Sequence, residues 1–223
     1  MTVGEILADA KGVFAEFGSA ENSARTKISD VQWVLWLDEY QEEAAIMTKN
    51  PRTEATATSD STSAYDTPAD FLAMVYFEFK KNGEKYTPLR YVPFELMITE
   101  YGNTWRDDDA GVPEAFTLPT QEVFELHPKP NSANQGASFM RMNYVYRPVK
   151  LSAKLLDNSP VIHAAYHRTA KYFLGSKAHE YIGNPNMADR LMNSWVEAMK
   201  GRTIGRRDLI EGKVKTAKIF RWG

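Results

Sequence analysis

Helix signatures bracket this chain at both ends, and the long stretch between them follows the two-residue period of strands. Near the start, Thr2 and Glu5 have the spacing of a capping box, and Ile6, Leu7, Ala10, Val13, Phe14 and Phe17 recur on one helical face, with Gly18 as a stop. A second box pairs Ser29 with Gln32, flanked by Ile28 and Trp33 at the positions of a hydrophobic staple. The stripe Trp33, Trp36, Leu37, Tyr40, Ala44 and Met47 then runs to Asn50-Pro51, where proline ends it. Toward the other end, Ser159-Pro160 predicts a helix start, with Ile162, Tyr166, Ala170, Phe173 and Leu174 on one face. Asn184-Pro185 predicts another, carrying Met187, Leu191, Trp195 and Met199 and ending before Gly201.

The middle predicts antiparallel strands. "FLAMVYFEFKKNGEKYTPLRYVPFELMI" centres on Asn82-Gly83, a pair that readily takes the positive φ of a tight hairpin turn. In "SFMRMNYVYRP", Met140, Met142, Tyr144 and Tyr146 alternate with Phe139, Arg141, Asn143 and Val145, which suits a half-buried strand. Residues 53–64, "TEATATSDSTSA", have almost no large apolar group and read as an extended connection without a core. The expected fold is therefore α+β: a helical bundle with an inserted antiparallel β module and an extended C-terminal arm. Its parts are an N-terminal helical pair (1–50), the β module with its lead-in (51–150), a second helical pair (151–200) and a basic arm (201–223).

Composition excludes much chemistry. There is no cysteine, so disulfides, thiol nucleophiles and thiolate metal sites are absent. "MTVGEILADAKGVF" lacks the basic region and cleavage site of a signal peptide, and no apolar run reaches the roughly 20 residues of a membrane span, which predicts a soluble chain made in the cytoplasm with no membrane partner. His163 and His167 have the four-residue spacing of two metal ligands, yet "AAY" between them holds no glutamate base and no third ligand is evident. Asp107, Asp108 and Asp109 read as a solvated loop. No phosphate loop or serine elbow is present, so neither catalytic centre, metal nor cofactor is expected, and a metal-dependent hydrolase built on the two histidines is the weaker reading.

Charge is distributed unevenly. From Lys200 onward there are eight basic residues against Asp208 and Glu211, a net +6, which leaves −8 for the rest of a chain whose total is −2. The acidic remainder repels a polyanion over much of its surface, so the segment points to a protein partner, with a DNA-binding factor that clamps phosphates as the alternative. Phe220 and Trp222 suit either a pocket or a base stack.

In order and spacing, "YDTPADFL" (Tyr65 to Leu72), the hairpin, "GVPEAFTL", "VFELHPKP", "NYVYRPVKLS" and "SPVIHAAYH" resemble the head-to-tail adaptor proteins of tailed bacteriophages. "WVLWLDEYQEEAA" looks like that family's second helix, with Asp38 where the family typically carries Asn. The resemblance implies a structural virion protein of the neck, assembled as a generally dodecameric homo-oligomeric ring under the portal. Such a ring extends the channel through which packaged DNA passes and supports a tail or nozzle protein. It also implies a C-terminal arm that binds the portal protein, here Arg206, Arg207, Lys213, Lys215, Lys218, Ile219, Phe220, Arg221 and Trp222. Fully extended, residues 201–223 would span roughly 75 Å.

Overall fold

A computed structural model describes residues 1–17, 28–81, 85–152 and 156–210, with side chains up to Gly201. It divides into two compact units, residues 1–48 with 148–223, and residues 49–147. The fold is α+β, with helices in the first unit and two four-stranded sheets in the second.

In the first unit, α1 (Val3–Phe17) and α2 (Asp30–Thr48) precede the strands, and α4 (Ala164–His167), α5 (Ala170–Tyr181) and α6 (Pro185–Ile210) follow them. Both capping signals operate. Thr2 N–H donates to Glu5 Oε2 (2.8 Å) while Glu5 N–H donates to Thr2 Oγ1 (3.2 Å), and Gln32 N–H donates to Ser29 Oγ (3.2 Å). The predicted stripes bury Ile6, Leu7 and Ala10 of α1 and Trp33, Trp36, Leu37, Tyr40 and Ala44 of α2, sharing one core with Tyr166, Phe173, Leu174, Trp195 and Met199. Gly18, the expected stop of α1, lies outside the described residues.

The segment that returns from the strands to the helices corrects one expectation. Ser159-Pro160 does not start a helix; α4 begins at Ala164, where His163 Nδ1 accepts the Ala165 N–H (3.1 Å). The backbone before it is committed elsewhere. Leu156 and Asn158 carbonyls accept the N–H groups of Gly4 (2.9 Å) and Val3 (2.7 Å), filling the open donors at the start of α1.

Three side chains of α2 hold the same returning segment. Asp38 Oδ1 accepts Leu151 N–H (2.8 Å), Gln41 Oε1 accepts Val161 N–H (3.0 Å), and Tyr40 Oη donates to the Tyr166 carbonyl (2.6 Å) beside Thr169 Oγ1 (2.8 Å). Thr169 Oγ1 in turn lies 3.3 Å from Met199 Sδ, which ties α6 into the cluster.

A second correction concerns α6, which continues through Gly201 and Gly205 to Ile210. Glycine inside a helix costs only about 1 kcal/mol relative to alanine, and Arg202, Arg206, Arg207 and Leu209 are good helix formers. Residues 201–210 therefore advance about 15 Å instead of the roughly 33 Å of an extended chain.

The second unit stacks two sheets on an aromatic core. One has the order β1 (Arg52–Ser59), β8 (Gly136–Tyr146), β3 (Phe71–Lys80) and β4 (Tyr86–Pro88), all antiparallel. The other has β2 (Ala64–Asp66), β7 (Val123–His127), β6 (Ala115–Thr117) and β5 (Arg90–Tyr91), with β5 parallel to β6. Phe77 from the first sheet meets Phe116 and Phe124 from the second at ring-centroid distances of 5.2 and 5.0 Å. The pairing of Lys80 with Tyr86 brings β3 and β4 together as the hairpin reading requires; Asn82 and Gly83 lie outside the described residues.

The stretch 53–64 is not a coreless connection. Its first part is β1, an edge strand paired with β8, whose Ala55 and Ala57 pack on the aromatic core while Thr56 and Thr58 face outward. Small residues supply the inward face, so the alternation lacks the large apolar groups that mark most strands. A short helix, α3 (Phe94–Tyr101), buries Met97 with Trp105 in a satellite core.

Three outcomes are expected from the helical unit. Tyr40→Phe keeps the ring but removes a buried donor from the Tyr166 carbonyl, which retains Thr169 Oγ1 (2.8 Å), lowering stability by about 0.5–1.5 kcal/mol in urea unfolding. Burial is the largest influence on Asp38 and raises its pKa, against the opposing Leu151 N–H. Asp38→Asn keeps the acceptor without the charge, so its urea-unfolding midpoint at pH 7 lies above that of the parent, an advantage that shrinks as pH falls and the carboxyl protonates. His167 and His179 are both held below the ordinary histidine value of 6.5 by burial. Their neutral forms are favoured in the folded state, so stability is full above pH 6.5 and falls as acid charges them; His179→Leu flattens that decline in melting curves between pH 7 and 5.

Candidate functional site

The two histidines with the spacing of metal ligands each bond to a backbone group. His163 caps α4, and buried His167 donates from Nε2 to the Ile162 carbonyl (2.8 Å), so the two imidazoles serve separate backbone groups. Asp107, Asp108 and Asp109 are exposed, with Asp108 Oδ2 3.7 Å from His127 Nε2. Among the described residues no three His, Asp or Glu side chains are grouped to hold a metal, and no helix is long and apolar enough to cross a membrane.

The "YDTPADFL" element works as a clamp within the second unit. Tyr65 stacks on Phe124 (5.4 Å, 19°) and donates to the Thr62 carbonyl (2.9 Å). Asp70 receives the Tyr144 hydroxyl on Oδ1 (2.8 Å) and the Arg147 N–H on its carbonyl (2.7 Å). Burial and that carboxylate push the Tyr144 hydroxyl up to about 12, so it stays a proton donor across the physiological range. Nearby, Arg106 forks onto buried Glu125 through Nε (2.8 Å) and Nη2 (3.1 Å), with its guanidinium 4.5 Å from the Trp105 ring centre.

Of the residues expected in the basic arm, Arg206 and Arg207 fall on the helical backbone of α6. Lys213, Lys215, Lys218, Ile219, Phe220, Arg221 and Trp222 lie outside the described residues.

Two concave surfaces were not anticipated from the sequence. In the first unit a groove of about 470 Å³ is rimmed by Glu39, Glu42, Glu43 and Lys177 over a floor that includes Phe173 and Trp195. Its acidic edge was visible in "DEYQEEAA", where carboxylates recur at helical spacing, but its floor comes from α5 and α6. In the second unit a groove of about 630 Å³ runs along β3, with Met74, Val75, Tyr91, Phe116 and Leu118 among its lining. The register of β3 against β8 shifts twice, between Phe71 and Ala73 and between Met74 and Tyr76, so the unbroken apolar run is not a simple alternation.

A search of curated proteins gives no match. The family model described as SU10 adaptor protein matches residues 1–215, nearly the whole length, taking in both units and the first part of the basic segment. Matched over nearly its whole length, the chain belongs to the SU10 adaptor protein family, which makes it a phage structural adaptor of the head-to-tail kind.

Proposed function

We propose that this chain forms a homo-oligomeric ring that docks on the portal protein at one capsid vertex, extends the DNA channel and offers its far side to a tail or nozzle protein in the virion neck. The observation that carries this reading is the division of charge, +6 from Lys200 onward against −8 in the remainder. A strongly cationic terminus on an anionic body favours attachment to a surface other than the body's own. Arg206 and Arg207 open the segment; Lys213, Lys215, Lys218 and Arg221 supply further cations, and Ile219, Phe220 and Trp222 supply apolar anchors. Repeated around a ring, individually modest contacts become a durable attachment through avidity.

The acidic remainder also fits a conduit for DNA, because like charge lets a polyanion pass without adhering. The alternative reading of the basic segment is a DNA-binding factor that clamps phosphates, and the two part experimentally.

Deletion of residues 201–223 is expected to leave a folded protein, by circular dichroism, that no longer co-sediments with portal particles. Undiminished co-sedimentation rules out the docking role. Retention on mixed duplex DNA by the intact chain, falling steeply between 50 and 200 mM salt as expected for roughly six to ten phosphate contacts, would favour the DNA-binding reading.

A further inference from the structure

We propose that β3 takes up an extended segment of a partner protein as an added strand, along the groove that borders its open edge in the second unit, and that this segment is apolar and neutral or acidic. The assignment stands apart from the ring and portal readings.

The edge is open by topology. β3 runs from Phe71 to Lys80 between β8 and β4, but β4 pairs only with Glu78, Phe79 and Lys80. One further bond on that side, from Leu89 N–H to the Phe77 carbonyl (2.9 Å), precedes the crossing of the chain to the other sheet as β5. Among the described residues, Leu72 to Tyr76 therefore have a strand neighbour on the β8 side alone. A strand paired on one side turns half of its N–H and C=O groups outward, where an extended backbone can bond them.

The groove of about 630 Å³ lies along this stretch, and five consecutive residues, Phe71 to Val75, border it, as the edge of a strand does and one face of a strand does not. Its accessible part is apolar. Ala73, Met74, Val75 and Leu118 are half-buried and Tyr91 is 51% exposed, whereas Phe71, Leu72 and Phe116 are buried and serve as backing. In such a site main-chain bonds along the edge supply affinity, and the apolar side chains select alternate residues of the added strand.

Two observations define the partner. The open stretch is short, and its register against β8 shifts between Phe71 and Ala73 and again between Met74 and Tyr76. An edge of that kind does not match the straight edge of a second folded sheet, but a single extended chain can follow it. The lining holds one cation, Lys49, and no carboxylate. That charge disfavours the strongly basic residues 201–223 of a second copy and suits a neutral or acidic segment of a different protein.

The test selects a displayed library of random peptides against the full-length chain, then titrates the enriched peptides in synthetic form. The expected peptides alternate apolar residues without net positive charge, and their binding slows amide hydrogen exchange at residues 72–76 roughly 10-fold or more. Met74→Lys in the groove and Tyr91→Ala at its exposed side each weaken that binding roughly 10-fold while keeping the circular dichroism of the parent. Tyr91→Ala removes a half-exposed ring, so it decides the matter if Met74→Lys fails to fold. No enriched peptide, binding untouched by Tyr91→Ala, or unchanged exchange at residues 72–76 overturns the proposal. A consensus rich in Lys and Arg, or self-association of the parent in sedimentation velocity that Tyr91→Ala abolishes, overturns it in favour of a second copy as the occupant.

Discussion

Three hydrogen-bonding side chains on one helix, Asp38, Tyr40 and Gln41, join parts of this chain that are more than a hundred residues apart. Their partners, Leu151 N–H, the Tyr166 carbonyl and Val161 N–H, lie 113, 126 and 120 positions further on. Hydrophobic burial brings α1, α2, α5 and α6 together, but it is nearly indifferent to small rotations and slips. Directional bonds to an irregular backbone fix the register in which the returning chain docks. The start of α1 works to the same end, because Gly4 and Val3 donate to carbonyls of that segment. The excursion through residues 49–147 can thus vary in content while its point of return stays defined.

The strand unit solves a different problem. Its core is aromatic and its sheets are small, so edges and corners are secured by polar locks: Tyr144 on Asp70, Arg106 on Glu125, and Arg141 on Glu78, which face each other across β8 and β3. The two partly buried charge pairs, Arg106–Glu125 and Arg141–Glu78, add orientation more than net stability, since desolvation offsets much of the attraction. Rigid walls suit a protein whose work is contact, because a surface that does not rearrange spends little of its binding energy on ordering itself.

What the sequence revealed followed from periodicity and capping chemistry. Thr2 with Glu5, Ser29 with Gln32, and the buried stripe from Trp33 to Ala44 could be read because they depend on residues within a turn or two of each other. The central strands were legible where large side chains alternate, as at Met140, Met142 and Tyr144, and hidden where alanine takes the inward face, as in β1. Ser159-Pro160 misled because its helix signal is local, whereas Leu156, Asn158 and Val161 bond to distant partners that no short window contains. The acidic groove was half visible for the same reason: one helix furnishes its rim, and separate helices furnish its floor. Among the residues assigned to the basic arm, spacing identifies their type and order, and helical backbone is described as far as Ile210.

Because α6 is one uninterrupted helix from Pro185 to Ile210, its terminal end and its buried face form a single mechanical element. Tension applied at the far end runs down the axis into Met199 and Trp195, and from Met199 through Thr169 to Tyr40. Such a load meets the core in shear, straining many side-chain contacts at once instead of peeling them one after another. A tether built this way holds best along its own direction of pull.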